Sequence, residues 1–190
     1  PQFPIDAIDV NGRIALTIAC SGIDARVAKD VHNFSESPIL DGKSSYIVSL
    51  MVNFLFKSIG SHWTVELDGE AVEDDYALVA VCNGRYYGGG FMPVPDAMPD
   101  DGVLDVLAVG EISRLTFFRL VGKYAQGLYR QYPQLITDWH GQSLSFSSPR
   151  EITVVVDGEV VGRRALAQDG STIQMGGLVF RLRLEEGNAL

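Results

Sequence analysis

The sequence is poor in the residues that build metal centres and disulfide frameworks. Two cysteines, Cys20 and Cys82, and three histidines occur in 190 residues. Neither cysteine belongs to a C-x-x-C pair, and the histidines lack the spacing of zinc ligands. Because both cysteines lie in apolar, strand-like runs, we expect buried thiols in a reducing compartment. A disulfide between them is the alternative.

Basic residues are also scarce. Fifteen Lys and Arg stand against twenty-four Asp and Glu, which gives a formal net charge of −9. A nucleic-acid partner is not expected, because phosphate binding needs a basic footprint. The same charge argues against steady electrostatic adhesion to an anionic membrane, although it is compatible with transient contact with a lipid surface.

Long apolar runs and several catalytic signatures are missing from these residues. The longest apolar stretch, 46–56, is interrupted by Ser49 and Asn53 and is too short to span a bilayer. Neither the G-x-S-x-G of serine hydrolases nor the G-x-G-x-x-G of dinucleotide-binding folds occurs. Hydrophobic residues nevertheless make up 46% of the chain, so it is expected to fold around a real core.

Turn dipeptides between apolar runs predict β-hairpins. Asn11-Gly12 precedes a single predicted strand over 13–20, and Asp68-Gly69 lies between two further runs. More short strands are predicted at 144–146, 152–156, 160–165 and 178–184. Many short strands at this spacing indicate a mainly β (α+β) domain, built as an antiparallel sandwich or barrel.

Apolar spacing of three and four residues predicts two helices, in a domain expected to have two or three. The first predicted helix covers 44–57. The second begins after the capping residue Ser113 and runs to about residue 130. Its predicted buried face consists of Leu115, Phe118, Val121, Ala125 and Leu128.

The most unusual stretch is 82–107. Asn83-Gly84 is followed by the glycine triplet Gly88, Gly89 and Gly90, and then by a loop rich in proline and aspartate over 93–101. Consecutive glycines suit positive φ angles or the close approach of a ligand. An oxygen-rich loop with Asp96, Asp100 and Asp101 suits magnesium. The alternative is a tight corner between strands.

This stretch resembles the second half of the bacterial diacylglycerol kinase family, which is related to sphingosine and ceramide kinases. The family pattern is N-x-x-x-x-G-G-G-M-x-I-x-P-x-A-x-x-D-D-G-x-L-x-V. Phe91 stands in the place of its methionine and Pro93 in the place of its isoleucine. The matching residues are Asn83, Gly88, Gly89, Gly90, Pro95, Ala97, Asp100, Asp101, Gly102, Leu104 and Val106.

The resemblance implies roles for a second motif, the triplet Asp157-Gly158-Glu159. In the family such a D-G-E follows a strand near the end of the domain. Its glutamate, here Glu159, is regarded as the catalytic proton acceptor, and Asp157 and Gly158 would lie near the nucleotide phosphates. A carboxylate can take the proton of an attacking hydroxyl. From the residues alone, a D-G between two strands is a plain hairpin turn.

The resemblance also implies a Mg²⁺ ion in the acidic loop. By motif match its ligands would be the Asp101 side chain and the main-chain carbonyls of Met98 and Val103. The family has lysine at the position of Met98, but a carbonyl ligand tolerates that exchange. The ion would tie this loop to the nucleotide-binding half, and the triplet Gly88 to Gly90 would lie in the cleft.

The family's nucleotide motif, G-G-D-G-T, is absent from these residues. The resemblance therefore implies that 1–190 is a single C-terminal domain of the NAD kinase/diacylglycerol kinase-like fold. The complete enzyme would use ATP, bound mainly by an N-terminal α/β domain, to phosphorylate a lipid hydroxyl, with diacylglycerol as the main candidate. It would be cytoplasmic and peripheral at the membrane, and a homodimer is compatible. The chain alone is expected to be inactive.

Two other interpretations stay open. A β-sandwich module could bind a lipid or a protein without catalysis, in which case Glu159 would be dispensable. A relative could instead act on another hydroxyl, such as that of sphingosine or a nicotinamide dinucleotide. The apolar stripe of 44–57 belongs to the core or lines an acyl-chain pocket, and Asp24 either caps a helix or faces the cleft.

Overall fold

The computed structural model describes residues 5–23, 60–87, 90–149, 152–157, 159–162 and 180–185, the last two segments as backbone. The predicted helix over 44–57 lies outside the described residues, as do Asp24, Gly88, Gly89 and Gly158. In the part described, no helix is long and apolar enough to cross a membrane.

The described residues form eleven strands, and every strand pair is antiparallel. Their bounds are β1 Ala7–Val10, β2 Arg13–Ala15, β3 Ile18–Gly22, β4 Ser61–Leu67, β5 Glu70–Cys82, β6 Leu104–Gly110, β7 Ile136–Gly141, β8 Ser143–Ser147, β9 Val154–Val156, β10 Glu159–Gly162 and β11 Phe180–Glu185. The predicted mainly β, antiparallel architecture is confirmed.

Strand β5 joins the two layers of the sandwich. Its first half pairs with β4, and its second half pairs with β3 on one side and β6 on the other. The first layer runs β10-β9-β3-β5-β6-β7, and the second runs β4-β8-β11-β1-β2. The burial pattern of β5 changes accordingly from six exposed residues to seven buried ones.

The core has two parts, one on each face of the first layer. Between the layers, Trp63 stacks on Phe146 with ring centroids 5.8 Å apart, beside Val79 and Val106. On the other face, Leu78 and Leu107 pack beneath a helix. A sheet that is apolar on both faces explains why the second half of β5 is a continuous apolar run rather than an alternating one.

Helix α1 spans Arg114–Tyr124, and the Ser113 hydroxyl accepts the Thr116 N–H at its start. The predicted buried face was wrong for two of its residues, since Leu115 is 61% and Phe118 53% exposed. Val121 is half-buried against the core, as predicted. The helix buries Phe117, Leu120 and Tyr124 instead. Both stripes are apolar at helical spacing, so the choice between them depends on packing against the sheet rather than on periodicity.

Helix α1 ends six residues earlier than predicted. The N–H of Gly127 donates to Tyr124 O and that of Leu128 to Lys123 O, which is a Schellman end with glycine in the left-handed conformation, φ +70°. A Cβ at position 127 would lie 2.6 Å from Pro95 Cδ. A short 3₁₀ helix, Tyr129–Gln131, follows.

Both predicted hairpins are present. Asn11-Gly12 joins β1 to β2, and Asp68-Gly69 joins β4 to β5, each with positive φ at both turn residues. The single strand predicted over 13–20 was wrong, because it is broken between β2 and β3 at Leu16-Thr17. Hydrogen bonds from the backbone N–H groups of residues 16–18 to the Asp157 carboxylate hold this break.

Cys20 and Cys82 are both buried thiols that no disulfide joins, as predicted. They lie on neighbouring strands of the first layer, Cys20 on β3 and Cys82 at the end of β5. Both side chains belong to the core cluster beneath α1. They act there as small apolar residues.

Candidate functional site

Four separate segments meet at one end of the first layer. They are the break between β2 and β3, residue Asn83 after β5, the acidic loop 93–102, and the Asp157 turn after β9. The β3–β5 and β3–β9 registers bring three of these segments to the same edge. Three of the predicted site motifs therefore belong to one region.

Asp157 fastens the D-G-E turn to the break in the chain. Its carboxylate accepts the N–H groups of Leu16, Thr17 and Ile18 at 2.6, 3.0 and 3.0 Å, and its own N–H donates to Ile18 O. The residue has φ +46°, a conformation that aspartate tolerates in turns. Its carboxylate therefore serves as an anchor for backbone, and its placement near a phosphate stays a prediction.

Asn83 ties the same break to the N-terminal strand. Its Nδ2 donates to Asp6 O at 2.8 Å and to Leu16 O at 3.0 Å, and its N–H donates to Thr17 O at 2.9 Å. The residue is 0% exposed, and its Oδ1 is buried without a hydrogen-bond partner. The N–H donors of Asn83 thus bind backbone carbonyls of two other segments.

Asp6 continues the connection into the acidic loop. Its N–H donates to Pro99 O at 2.7 Å, and its Oδ2 accepts the Gly102 N–H at 2.8 Å. Arg85 Nε adds a bond to Ala97 O at 3.1 Å. A continuous path of hydrogen bonds therefore runs from the Asp157 turn through Asn83 to the loop that carries Asp101.

Glu159 is the first residue of β10, and it pairs with Val156 across the turn. The backbone register places it two residues beyond Asp157, at the edge where the four segments meet. This position agrees with a role at the site. The catalytic role of Glu159 stays a prediction.

The acidic loop does not gather its aspartates as expected. Asp96 instead pairs with Arg130 at 2.6 Å, and no cluster of three metal-binding side chains occurs among the described residues. The ligand set implied by the family needs only one metal-binding side chain, the Asp101 carboxylate, together with the main-chain carbonyls of Met98 and Val103. Asp101 is exposed and accepts the Val103 N–H at 3.0 Å. An all-oxygen set of this kind fits a hard cation.

Gly90 is the one residue of the glycine triplet that the structure describes, and it lies in a turn. Gly90 has φ +121°, and its N–H and that of Phe91 both donate to Tyr87 O. No atom lies within 4 Å of a Cβ built at Gly90, so its backbone angle, rather than close packing, requires glycine. The turn brings Phe91 back beside Tyr87 and over the core beneath α1.

An apolar pocket opens beside Phe91. It holds about 480 Å³ of empty space, counting the part open to solvent. Its floor is formed by strands β5 and β6, and one wall by the inner face of α1. The lining residues are Ile23, Ala77, Leu78, Phe91, Val109, Ile112, Phe117, Leu120, Val121 and Tyr124.

Known proteins are similar to this chain in fold and in sequence. Residues 17–172 match the family described as the YegS C-terminal NAD kinase beta sandwich-like domain. The chain belongs to this family. A candidate lipid kinase of Staphylococcus aureus strain JH9 is 25% identical over 155 residues, which are 82% of this chain and 50% of that protein. The chain thus spans about half the length of the curated relatives it matches.

Solved structures show the same fold. A candidate diacylglycerol kinase from Bacillus anthracis strain Sterne superposes with a TM-score of 0.65 and 22% identity, over 97% of this chain and 54% of that one. A second diacylglycerol kinase from the same strain gives 0.58 and 20%, over 97% and 52%. The recognised family and the mainly β fold are thereby confirmed.

Two polar contacts lie near the acidic loop of this YegS-type domain, one between Asp105 and His140 and one between Tyr129 and Asp138. Asp105, 8% exposed, lies 3.2 Å from His140. Burial raises the pKa of Asp105, with Asp101 and Asp96 acting in the same direction and His140 in the opposite one. Burial, helped by Asp138, raises the pKa of Tyr129 to about 12. Tyr129 therefore stays protonated and donates to Asp138 at 3.2 Å.

The raised pKa of Asp105 makes its ionised form a cost to the folded state. Below the pKa of the unfolded chain, about 3.9, the carboxyl is neutral in both states and the cost disappears. We therefore expect Asp105→Asn to raise the stability of the chain at pH 7 and to lose this gain as the pH falls toward 4. Urea unfolding across that range would measure it. Glu66→Gln, at an exposed position, is the control, and an equal gain at every pH would contradict the argument.

Several residues of this YegS-type site make hydrogen bonds that the sequence did not indicate. Asn83 was matched to the motif without a role, and Asp6 and Arg85 were not singled out. Their partners are backbone atoms distant along the chain, so no local spacing could reveal them. The one available signal was Asn83 beside Gly84, and an Asn-Gly pair also marks ordinary turns.

Proposed function

We propose that this domain is the C-terminal half of an ATP-dependent lipid kinase that phosphorylates a lipid hydroxyl, with diacylglycerol as substrate and phosphatidic acid as product. The observation that carries the proposal is the apolar pocket beneath α1. All ten of the described residues that line it are apolar or aromatic. A pocket of this kind fits an acyl chain far better than it fits a polar metabolite.

The nucleotide would come from a second domain, for which this one provides a docking surface. Five exposed large apolar side chains lie on or beside the segments that meet at the site: Ile5, Ile14, Leu16, Tyr86 and Met98. Clustered exposed apolar residues mark interaction surfaces. The relatives are about twice as long as this chain, which leaves room for such a domain in the complete protein.

In the proposed reaction, Glu159 accepts the proton of the lipid hydroxyl while the hydroxyl oxygen attacks the γ-phosphorus of ATP. The bond from that phosphorus to the β,γ-bridging oxygen breaks, and ADP leaves. Asp157 positions the turn that carries Glu159. Asp101, with the carbonyls of Met98 and Val103, would hold a Mg²⁺ ion that fixes the acidic loop; this ion would supply positive charge beside the phosphates.

The test uses the complete polypeptide, including any sequence that precedes Pro1, alongside the 190-residue chain. Both are incubated with labelled ATP, Mg²⁺ and a panel of lipid alcohols in mixed micelles. We expect labelled phosphatidic acid from the complete polypeptide and none from the chain alone. If a different alcohol such as sphingosine is labelled, that alcohol rather than diacylglycerol is the substrate. If no alcohol is labelled while lipid still binds the pocket, the domain is a lipid-binding module.

A further inference from the structure

Arg85 lies on the segment that leaves β5 and enters the candidate site. Its side chain is exposed, two residues beyond the buried Asn83. A Cβ built at the intervening Gly84 would lie 3.7 Å from Thr17 Cγ2, and the Thr17 N–H donates to the Asp157 carboxylate at 3.0 Å. Arg85 is therefore one residue away from contact with the segment that anchors the D-G-E turn.

One nitrogen of the Arg85 guanidinium group is held by the acidic loop, and the other two have no partner among the described residues. Its Nε donates to Ala97 O at 3.1 Å. No described carboxylate forms an ion pair with the group. A guanidinium group held at Nε presents its remaining N–H donors in a restricted orientation, which lowers the entropy lost when they bind a ligand.

The carboxylates closest to Arg85 along the hydrogen-bond path have other partners. Asp6 accepts the Gly102 N–H, and Asp157 accepts three backbone N–H groups of the break between β2 and β3. In the acidic loop, Asp96 pairs with Arg130. Among the described residues, Arg85 is the only cation that is hydrogen-bonded to this path. An anion that pairs with Arg85 would therefore come from a ligand or from another domain.

We propose that the two terminal nitrogens of Arg85 contact the phosphoryl group that the enzyme transfers. Guanidinium donors match phosphate oxygens in a two-pronged geometry, and positive charge stabilises the negative charge on the transferred group. The bond to the β,γ-bridging oxygen breaks as the lipid oxygen bonds to phosphorus, and Arg85 neither gives nor takes a proton. The inference rests on the proposed function and adds a substrate-binding residue to it.

The apolar neighbours of Arg85 favour this assignment. Tyr86 follows it directly, Met98 follows its partner Ala97, and the two side chains are 59% and 49% exposed. Because both belong to the proposed docking surface, closure of the second domain would exclude water from the guanidinium group and increase its attraction to a phosphate. A cation enclosed there without an anion would destabilise the closed form. The phosphate that arrives with the nucleotide removes this cost.

The experiment measures binding to the complete polypeptide by titration calorimetry with Mg²⁺ and without a lipid alcohol, so that no transfer is needed. The ligands are the β,γ-imido analogue of ATP, ADP, and a short-chain phosphatidic acid. We expect Arg85→Gln to weaken binding of the analogue about ten- to hundredfold. Binding of ADP should stay nearly unchanged, because ADP lacks the transferred group. A loss with phosphatidic acid alone would assign the same contact to the product.

Two further variants separate this contact from a structural role. Arg119→Gln removes an exposed cation from α1 and should bind every ligand as the unchanged polypeptide does. Arg85→Lys keeps the charge without the planar group and should recover part of the lost affinity. If Arg85 only braces the acidic loop, Arg85→Gln would lower the free energy of unfolding in urea and leave the ratio of the two nucleotide affinities unchanged.

The proposal is overturned if Arg85→Gln binds both the analogue and phosphatidic acid normally, or if it weakens the analogue and ADP equally. An equal loss would indicate a carboxylate of the second domain as the partner. The outcome is separable from that of the kinase assay. Selective loss of the analogue in a polypeptide that labels no lipid would retain the Arg85 contact and reject the proposed reaction. Lipid labelling that Arg85→Gln leaves unchanged would do the reverse, and a polypeptide that binds none of the three ligands would reject both.

Discussion

The complete polypeptide carrying Glu159→Gln is expected to phosphorylate its lipid about 10²- to 10⁴-fold more slowly, which is the usual contribution of a general base. Glutamine keeps the size of the side chain and removes its ability to take a proton. The loss should appear in kcat, with KM for ATP nearly unchanged, because the proton moves only in the chemical step. Initial rates at saturating lipid and varied ATP would measure both constants.

The chain provides a close control in its other D-G-E triplet, Asp68-Gly69-Glu70. The two turns share their local structure: Asp68 has φ +49° and Asp157 φ +46°, and each carboxylate accepts N–H groups from a distant turn. Glu70→Gln should therefore leave the rate unchanged. If Glu159→Gln is equally harmless, Glu159 is a turn residue and the acceptor of the proton must be sought elsewhere.

The similarity of the two triplets means that a D-G-E sequence by itself does not identify a catalytic site. In both triplets the aspartate fastens its turn to a segment distant in the sequence, so the aspartate is structural in both. What differs is the location. Asp68 binds the connection between β7 and β8, whereas Asp157 binds the break at which Asn83 also lies. Chemistry at the second triplet therefore depends on the segments around it, and those are far apart in sequence.

The parts of the fold that were predictable are those set by neighbouring residues. Asn11-Gly12 and Asp68-Gly69 fix their hairpins because glycine and Asn or Asp accept positive φ, whatever the rest of the chain does. The Ser113 cap was recognisable for the same reason. The family motif predicts the position of the candidate site.

The parts that failed depend on distant contacts. Helix α1 offers two apolar stripes, and only the sheet beneath it selects Phe117, Leu120 and Tyr124 over Leu115 and Phe118. The break between β2 and β3 is fixed by Asp157, about 140 residues away. Strand β7, with the polar sequence I-T-D-W-H-G, escaped notice because it alternates weakly and is held by pairing to β6.

The larger stability effect is expected at Asn83. Asn83→Leu keeps the approximate size but removes two donors, leaving the carbonyls of Asp6 and Leu16 without these partly buried hydrogen bonds, at a cost of about 2–4 kcal/mol in the free energy of unfolding. Asn83→Asp should cost more at neutral pH, because the introduced carboxylate cannot donate and its charge is buried. Chemical denaturation of the 190-residue chain would compare both variants with the unchanged protein.

The pH dependence of the two variants separates hydrogen bonding from charge. Burial would raise the pKa of the carboxyl introduced by Asn83→Asp, so its extra cost should vanish below the pKa of the unfolded chain, about 3.9, and grow as the pH rises. Asn83→Leu introduces no titrating group, and its cost should stay constant. Equal costs for the two variants at pH 7 would show that water reaches position 83. In that case the path from the Asp157 turn to the acidic loop would be held by the remaining bonds of Asp157 and Asp6.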